Sequence, residues 1–121
     1  MDDFPQIVDR YIAMWNEVDG GARRRLIEEL WSATGRYVDP LTSVEGRAAI
    51  NDTVEAAQKQ FSGITFRLAG PVDAHHQQAR FGWELGTPGE EPIVVGFDVA
   101  ECDQQGRLAV VLGFLDKVPA M

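Results

Sequence analysis

Cysteine is nearly absent from this chain, histidine is scarcely commoner, and basic residues are outnumbered by acidic ones. The single cysteine, Cys102, excludes an internal disulfide and points to a reducing compartment. With no conspicuous histidine partner, it reads as a small buried hydrophobe. The two histidines, His75 and His76, are adjacent, and neighbours on a strand point to opposite faces. No Asp/Glu/His cluster with zinc-like spacing supports them, so no metal is expected. Eleven cations against nineteen acidic residues leave a net charge of −8, which argues against the concentrated basic patch that nucleic-acid phosphates require. The one basic run, Arg23-Arg24-Arg25, precedes Glu28 and Glu29 at helical spacing and reads as a solvated, salt-bridged face. No stretch approaches the roughly 20 apolar residues of a membrane span. The start, Met1-Asp2-Asp3-Phe4-Pro5, is acidic where a signal peptide is basic and then apolar, so a cytoplasmic location is expected. Nothing resembles a phosphate loop, a nucleophile elbow or a dinucleotide fingerprint.

What is there suits one domain over residues 1–121: the 45% apolar content is enough for a real core. Ile7, Val8, Tyr11, Ile12, Trp15 and Val18 recur at three- and four-residue spacing, which predicts a helix with one apolar face. Asp2 or Asp3 can cap it, and Pro5 suits its first turn. Asp19-Gly20-Gly21 breaks it. A second helix follows, with Leu26, Ile27, Leu30 and Trp31 inward. Residues 33–41 read as short, irregular and turn-like, because Pro40 keeps Asp39 out of the helical region. A third helix is predicted from Gly46 to Phe61, ended by Gly63. Beyond it, Ile64-Phe66-Leu68 and Phe81-Trp83-Leu85 alternate with other residues as strands do, and Ile93 to Glu101 and Leu108 to Leu115 follow after turns. Helices ahead of an antiparallel meander make an α+β fold, with the helices on one face of a curved sheet.

Two aspartates stand out against this frame. Asp39, in Tyr37-Val38-Asp39-Pro40-Leu41, and Asp98, in Val95-Gly96-Phe97-Asp98-Val99, both lie in apolar stretches. An unpaired buried carboxylate costs several kcal/mol, roughly, or takes up a proton. One face of the Asp98 strand carries Ile93, Val95, Phe97 and Val99; the other carries Val94, Gly96, Asp98 and Ala100. Small residues leave space, so Asp98 is expected to border a hollow, although glycines also mark bulges that bend a sheet. Each candidate has a plainer alternative. Asp before Pro is a common turn residue. Asp98 could pair with Arg67, Arg80 or Arg107, and Tyr11 on an apolar helical face could be core. Trp15, Phe66, Trp83 and Phe114 could line a pocket or only fill the interior. One of His75 and His76, taken as His76, could face that pocket, or both could be hairpin residues.

Several short motifs now follow one another in a recognisable order. They are Arg10-Tyr11-Ile12-Ala13, Val38-Asp39-Pro40-Leu41, Gly46-Arg47-Ala48-Ala49-Ile50, His75-His76, Arg80-Phe81-Gly82-Trp83, Gly96-Phe97-Asp98 and the run from Gly106-Arg107-Leu108 to Gly113-Phe114. Together they resemble the nuclear transport factor 2-like superfamily, in particular its SnoaL-like proteins and ketosteroid isomerases, over nearly the whole chain. The resemblance implies a cone-shaped α+β barrel: three N-terminal helices packed on a highly curved antiparallel sheet around a deep pocket. It also implies a homodimer formed through the outer sheet face and a small apolar organic ligand. By that likeness Asp39 falls where the isomerases place a general base. Asp98 falls where they keep a protonated carboxylic acid, and Tyr11 where they place an oxyanion donor. The implied activity is acid–base chemistry on a carbonyl compound without a cofactor. Ligand binding or protein interaction without catalysis is the other implied role.

Overall fold

The computed structural model describes residues 3–119. Asp3 caps α1 (Phe4–Asn16), accepting from the Gln6 amide while the Gln6 side chain returns to the Asp3 amide. The buried stripe of α1 is Ile7, Val8, Tyr11, Met14 and Trp15. Val18, expected on that stripe, lies past the helix end and is 80% exposed. Asp2 lies outside the described residues. Asp19 caps α2 (Gly20–Leu30) through the Ala22 amide. Trp31 does not belong to that helix: its extended backbone ends α2 and opens β1 (Trp31–Asp39).

That strand corrects the turn-like reading of residues 33–41. Its buried positions, Trp31, Gly35 and Tyr37, share one face, but Ala33 between them is exposed, where the register slips between Trp31 and Arg36. Gly35 permits the slip, since a Cβ there would sit 2.6 Å from the Trp31 ring. β2 (Thr42–Glu45) folds back antiparallel on β1, and only then does α3 (Arg47–Gln60) begin. Two strands therefore separate α3 from the first two helices. β3 (Thr65–His75), β4 (Gln78–Gly86), β5 (Val94–Cys102) and β6 (Leu108–Lys117) complete the chain.

The sheet has six strands in the order β2-β1-β6-β5-β4-β3. It is mixed, not wholly antiparallel as expected, because β1 runs parallel to β6 with Tyr37 opposite Val111. Register shifts within β3–β4 and β5–β6 bend it. Along β5 the small face, Val94, Gly96, Asp98 and Ala100, is buried toward the helices, while Val95, Phe97 and Val99 face outward. The arginine run also departs from expectation. Arg24 and Arg25 are exposed, but Arg23 is only 2% exposed. It donates to Asn51 Oδ1 (2.7 Å), Gln58 Oε1 (3.0 Å) and the Glu17 carbonyl (2.8 Å). This guanidinium ties the end of α1 to α2 and α3 through neutral acceptors. Glu29, instead of pairing along α2, reaches Arg10.

Candidate functional site

Between α1, α3, β2 and the inner sheet face lies a cavity of about 960 Å³. Ala49, Thr53 and Ala57 of α3 line one side, and Trp15, Phe66 and Trp83 form an aromatic wall on the other. Among the described residues, three carboxylates line it (Asp39, Asp52 and Asp98) and no lysine, arginine or histidine does. An anionic group placed there would meet repulsion and no counter-charge.

Asp98 sits at the deep end, 3% exposed. Alternation along β5 puts it on the inner face opposite Phe81 and Gly113. Its Oδ2 accepts from the Tyr11 hydroxyl at 2.8 Å, and its Oδ1 from Trp83 Nε1 at 3.0 Å. Of the arginines considered as partners, Arg67 pairs with Glu84 and Arg80 with Asp73, and neither these nor Arg107 donates to Asp98. Burial pushes the Asp98 carboxyl up to about 6, although the Tyr11 and Trp83 donors pull it back and the Asp39 charge adds a little. Burial, then the Asp98 charge, raises the Tyr11 phenol well above its ordinary range.

Asp39 is a turn residue that also borders the cavity. Its Oδ1 accepts from the amides of Leu41 (2.8 Å) and Thr42 (2.9 Å), which closes the β1–β2 turn. Its Oδ2 accepts from the Tyr37 hydroxyl at 2.7 Å, and the residue borders the cavity. Gly113 on β6 separates the two aspartates. A Cβ there would lie 2.8 Å from Asp98 Oδ1 and 3.4 Å from Asp39 Cβ. Gly96 does the same for Trp83, whose ring would be 2.5 Å from a Cβ at that position. Glycine at these places lets large polar groups approach the strand backbone.

Of the expected residues, the structure thus brings Tyr11, Asp98, Trp83, Trp15, Phe66 and Asp39 to one cavity. Phe114 reaches it only at the margin: it is 50% exposed, and its ring stacks on Phe97 of the outer face. His76 is a correction. It sits exposed in the β3–β4 hairpin at φ 55°, its Nδ1 3.3 Å from that of His75, and does not line the cavity. Cys102 is buried and does not line the cavity, and burial with the charges of Asp103 and Glu101 pushes its thiol up to about 11. Sequence reasoning passed over Tyr37 as a site residue. Its i,i+2 spacing to Asp39 signals a shared face once residues 31–39 are known to be a strand.

Three helices on a six-stranded sheet, with polar groups sunk in one apolar cavity, define the nuclear transport factor 2-like fold. No protein-family model and no curated protein matches the chain. Solved structures do. A SnoaL-like family protein from Agrobacterium tumefaciens, named as a candidate isomerase, shares 41% identity over 92% of this chain and 95% of its own, with a TM-score of 0.87. The chain belongs to the SnoaL-like family. A candidate polyketide cyclase from Sinorhizobium meliloti is 20% identical over 92% of this chain and 95% of its own (TM-score 0.72). An Exiguobacterium protein described as NTF2-like and of unknown function is 21% identical over 91% and 98% (TM-score 0.72). At such identities these last two share the fold alone.

Proposed function

We propose that this chain acts as one cytoplasmic domain, a cofactor-independent isomerase- or cyclase-like enzyme performing acid–base chemistry on a neutral, apolar carbonyl compound. One observation carries the reading: two carboxylates flank Gly113 at the end of a single apolar cavity, each hydrogen-bonded to a tyrosine. Asp39 is the base that takes a proton from the carbon beside the carbonyl and returns it elsewhere, a role worth roughly 10²–10⁴ in rate. Tyr11 and Asp98 receive the carbonyl oxygen. When Asp98 is ionised, Tyr11 Oη and Asp98 Oδ2 share one proton, which lies between them and is not offered to a ligand. When Asp98 is neutral the pair holds two, and one is free to bond the developing oxyanion. Such a donor contributes on the order of 10²–10³. An apolar substrate that displaces water favours the neutral carboxyl, so binding and proton uptake go together.

The hydrogen bonds that Tyr11 and Trp83 already make to both oxygens of Asp98 also support a second reading, a small-molecule carrier in which this pair only anchors a ligand. Asp39→Asn separates the two. On a β,γ-unsaturated ketone, followed by the ultraviolet absorbance of the conjugated product, the substitution is expected to lower the rate at least 10²-fold while ligand binding persists. A rate unchanged by it removes Asp39 from the mechanism. The outer sheet face, with Val38, Phe97, Val99, Leu112 and Phe114, supports a homodimer formed there, which light scattering would measure.

A further inference from the structure

We infer that Tyr37 is the positioning residue of Asp39, locking its carboxylate so that a single lone pair on Oδ2 is left to take a proton. The inference rests on Asp39 being the base. The chain has only two tyrosines, and both are buried at this cavity with their hydroxyls on Asp98 and Asp39. Tyr11 bonds Asp98 on another element, whereas Tyr37 bonds Asp39 two residues along the same strand face. Tyr37 is 5% exposed, and Trp15 packs on its ring at 5.5 Å between centroids, so the phenol cannot swing away from the carboxylate.

The count of lone pairs makes the case specific. An ionised carboxylate offers about four acceptor sites, two on each oxygen. The Leu41 and Thr42 amides fill both sites on Asp39 Oδ1, and the Tyr37 hydroxyl fills one on Oδ2. Three fixed donors prevent rotation about the carboxylate bond, and the one remaining site is where an incoming proton lands. Without the Tyr37 hydroxyl, Oδ2 keeps two open sites and loses its in-plane anchor. Burial, with the Asp98 and Asp39 charges, raises the Tyr37 phenol far above its ordinary range. Tyr37 therefore remains a donor at every working pH and does not compete as a base.

The test is Tyr37→Phe, which removes only the hydroxyl, alone and combined with Asp39→Asn, on the same β,γ-unsaturated ketone. Misplacing a reacting group by about 1 Å costs up to 10²-fold, so kcat is expected to fall roughly 10- to 100-fold with KM within about twofold. In the Asp39→Asn background the second substitution should have no further effect. A kcat within twofold of the parent, or the same fold-loss in both backgrounds, overturns the role of Tyr37. Full activity in Asp39→Asn alone overturns the base itself, which is a separable failure. Global 3-fluorotyrosine labelling adds a readout independent of turnover. Of the two ¹⁹F resonances, assigned with Tyr11→Phe, the Tyr37 line should shift in Asp39→Asn. An unmoved line refutes the hydrogen bond on which the inference stands.

Discussion

Replacing Asp98 by asparagine should stabilise the protein at neutral pH, and the gain should vanish in acid. The carboxyl rises from the usual 3.8 to about 6 on folding, first because burial disfavours the charged form. Its neutral form is thus the one the fold prefers. Stability from that proton is fully present below the unfolded value and is lost as pH rises through the folded one. Between about pH 4 and 6 the folded chain holds roughly one more proton than the unfolded chain, which costs about 1.4 kcal/mol per pH unit, or about 3 kcal/mol in all. The asparagine imitates the neutral acid: its oxygen can accept from Trp83 Nε1 and its NH₂ can donate to Tyr11 Oη, in place of the contacts Asp98 makes. Other carboxylates change stability over the same range, so the quantity to follow is the difference between variant and parent. Urea unfolding at half-unit steps from pH 4 to 8 should give a difference near zero at pH 4. It should climb to about 3 kcal/mol in favour of the variant above pH 6 and then level off. A difference that stays flat across this range would show that folding does not perturb Asp98.

Two further substitutions probe the frame around the site. Gly113→Ala places a methyl 2.8 Å from Asp98 Oδ1, closer than a carbon and an oxygen can sit. It should cost about 1–3 kcal/mol in urea unfolding and weaken catalysis with it; unchanged stability and rate would mean that the aspartates do not abut this residue. Arg23→Met removes the donor from Asn51, Gln58 and the Glu17 carbonyl together, and the loss should be roughly 2–4 kcal/mol. A loss below about 1 kcal/mol would place Arg23 in solvent, as the charge pattern first implied.

The legible parts of the site were those whose sequence context was locally anomalous. Asp39 and Asp98 stood out because a charge in an apolar run demands compensation, and strict alternation along β5 was enough to assign Asp98 its face. Tyr37 lacked that signal. The irregularity between Trp31 and Arg36 leaves Ala33 exposed on the inner face of β1, and Ser32, Ala33, Thr34 and Gly35 offer no apolar alternation to mark a strand. His76 failed for a related reason: the parity rule assumes extended backbone, and at φ 55° it does not apply. Arg23 carries no local mark at all. Its acceptors come from residues 17, 51 and 58, and only the packing of three helices brings them together. The parallel pairing of β1 with β6 joins segments far apart in the chain, beyond any local pattern.

The choice of partners for Asp98 has a consequence beyond stability. Had β4 supplied an arginine on the inner face where it supplies Trp83, the opposite charge would have held the carboxyl ionised well below neutral pH. It would then accept hydrogen bonds and never donate one. Tyr11 and Trp83 satisfy both oxygens without fixing the charge, so burial is left as the dominant influence and the group titrates at about 6. Arg67 and Arg80 lie on strands next to the site, but alternation turns them to the outer face, where Glu84 and Asp73 hold them. Neutral donors inside and cations outside keep the cavity negative. Only when Asp98 takes up a proton does its pair with Tyr11 hold a second one that a bound molecule could meet.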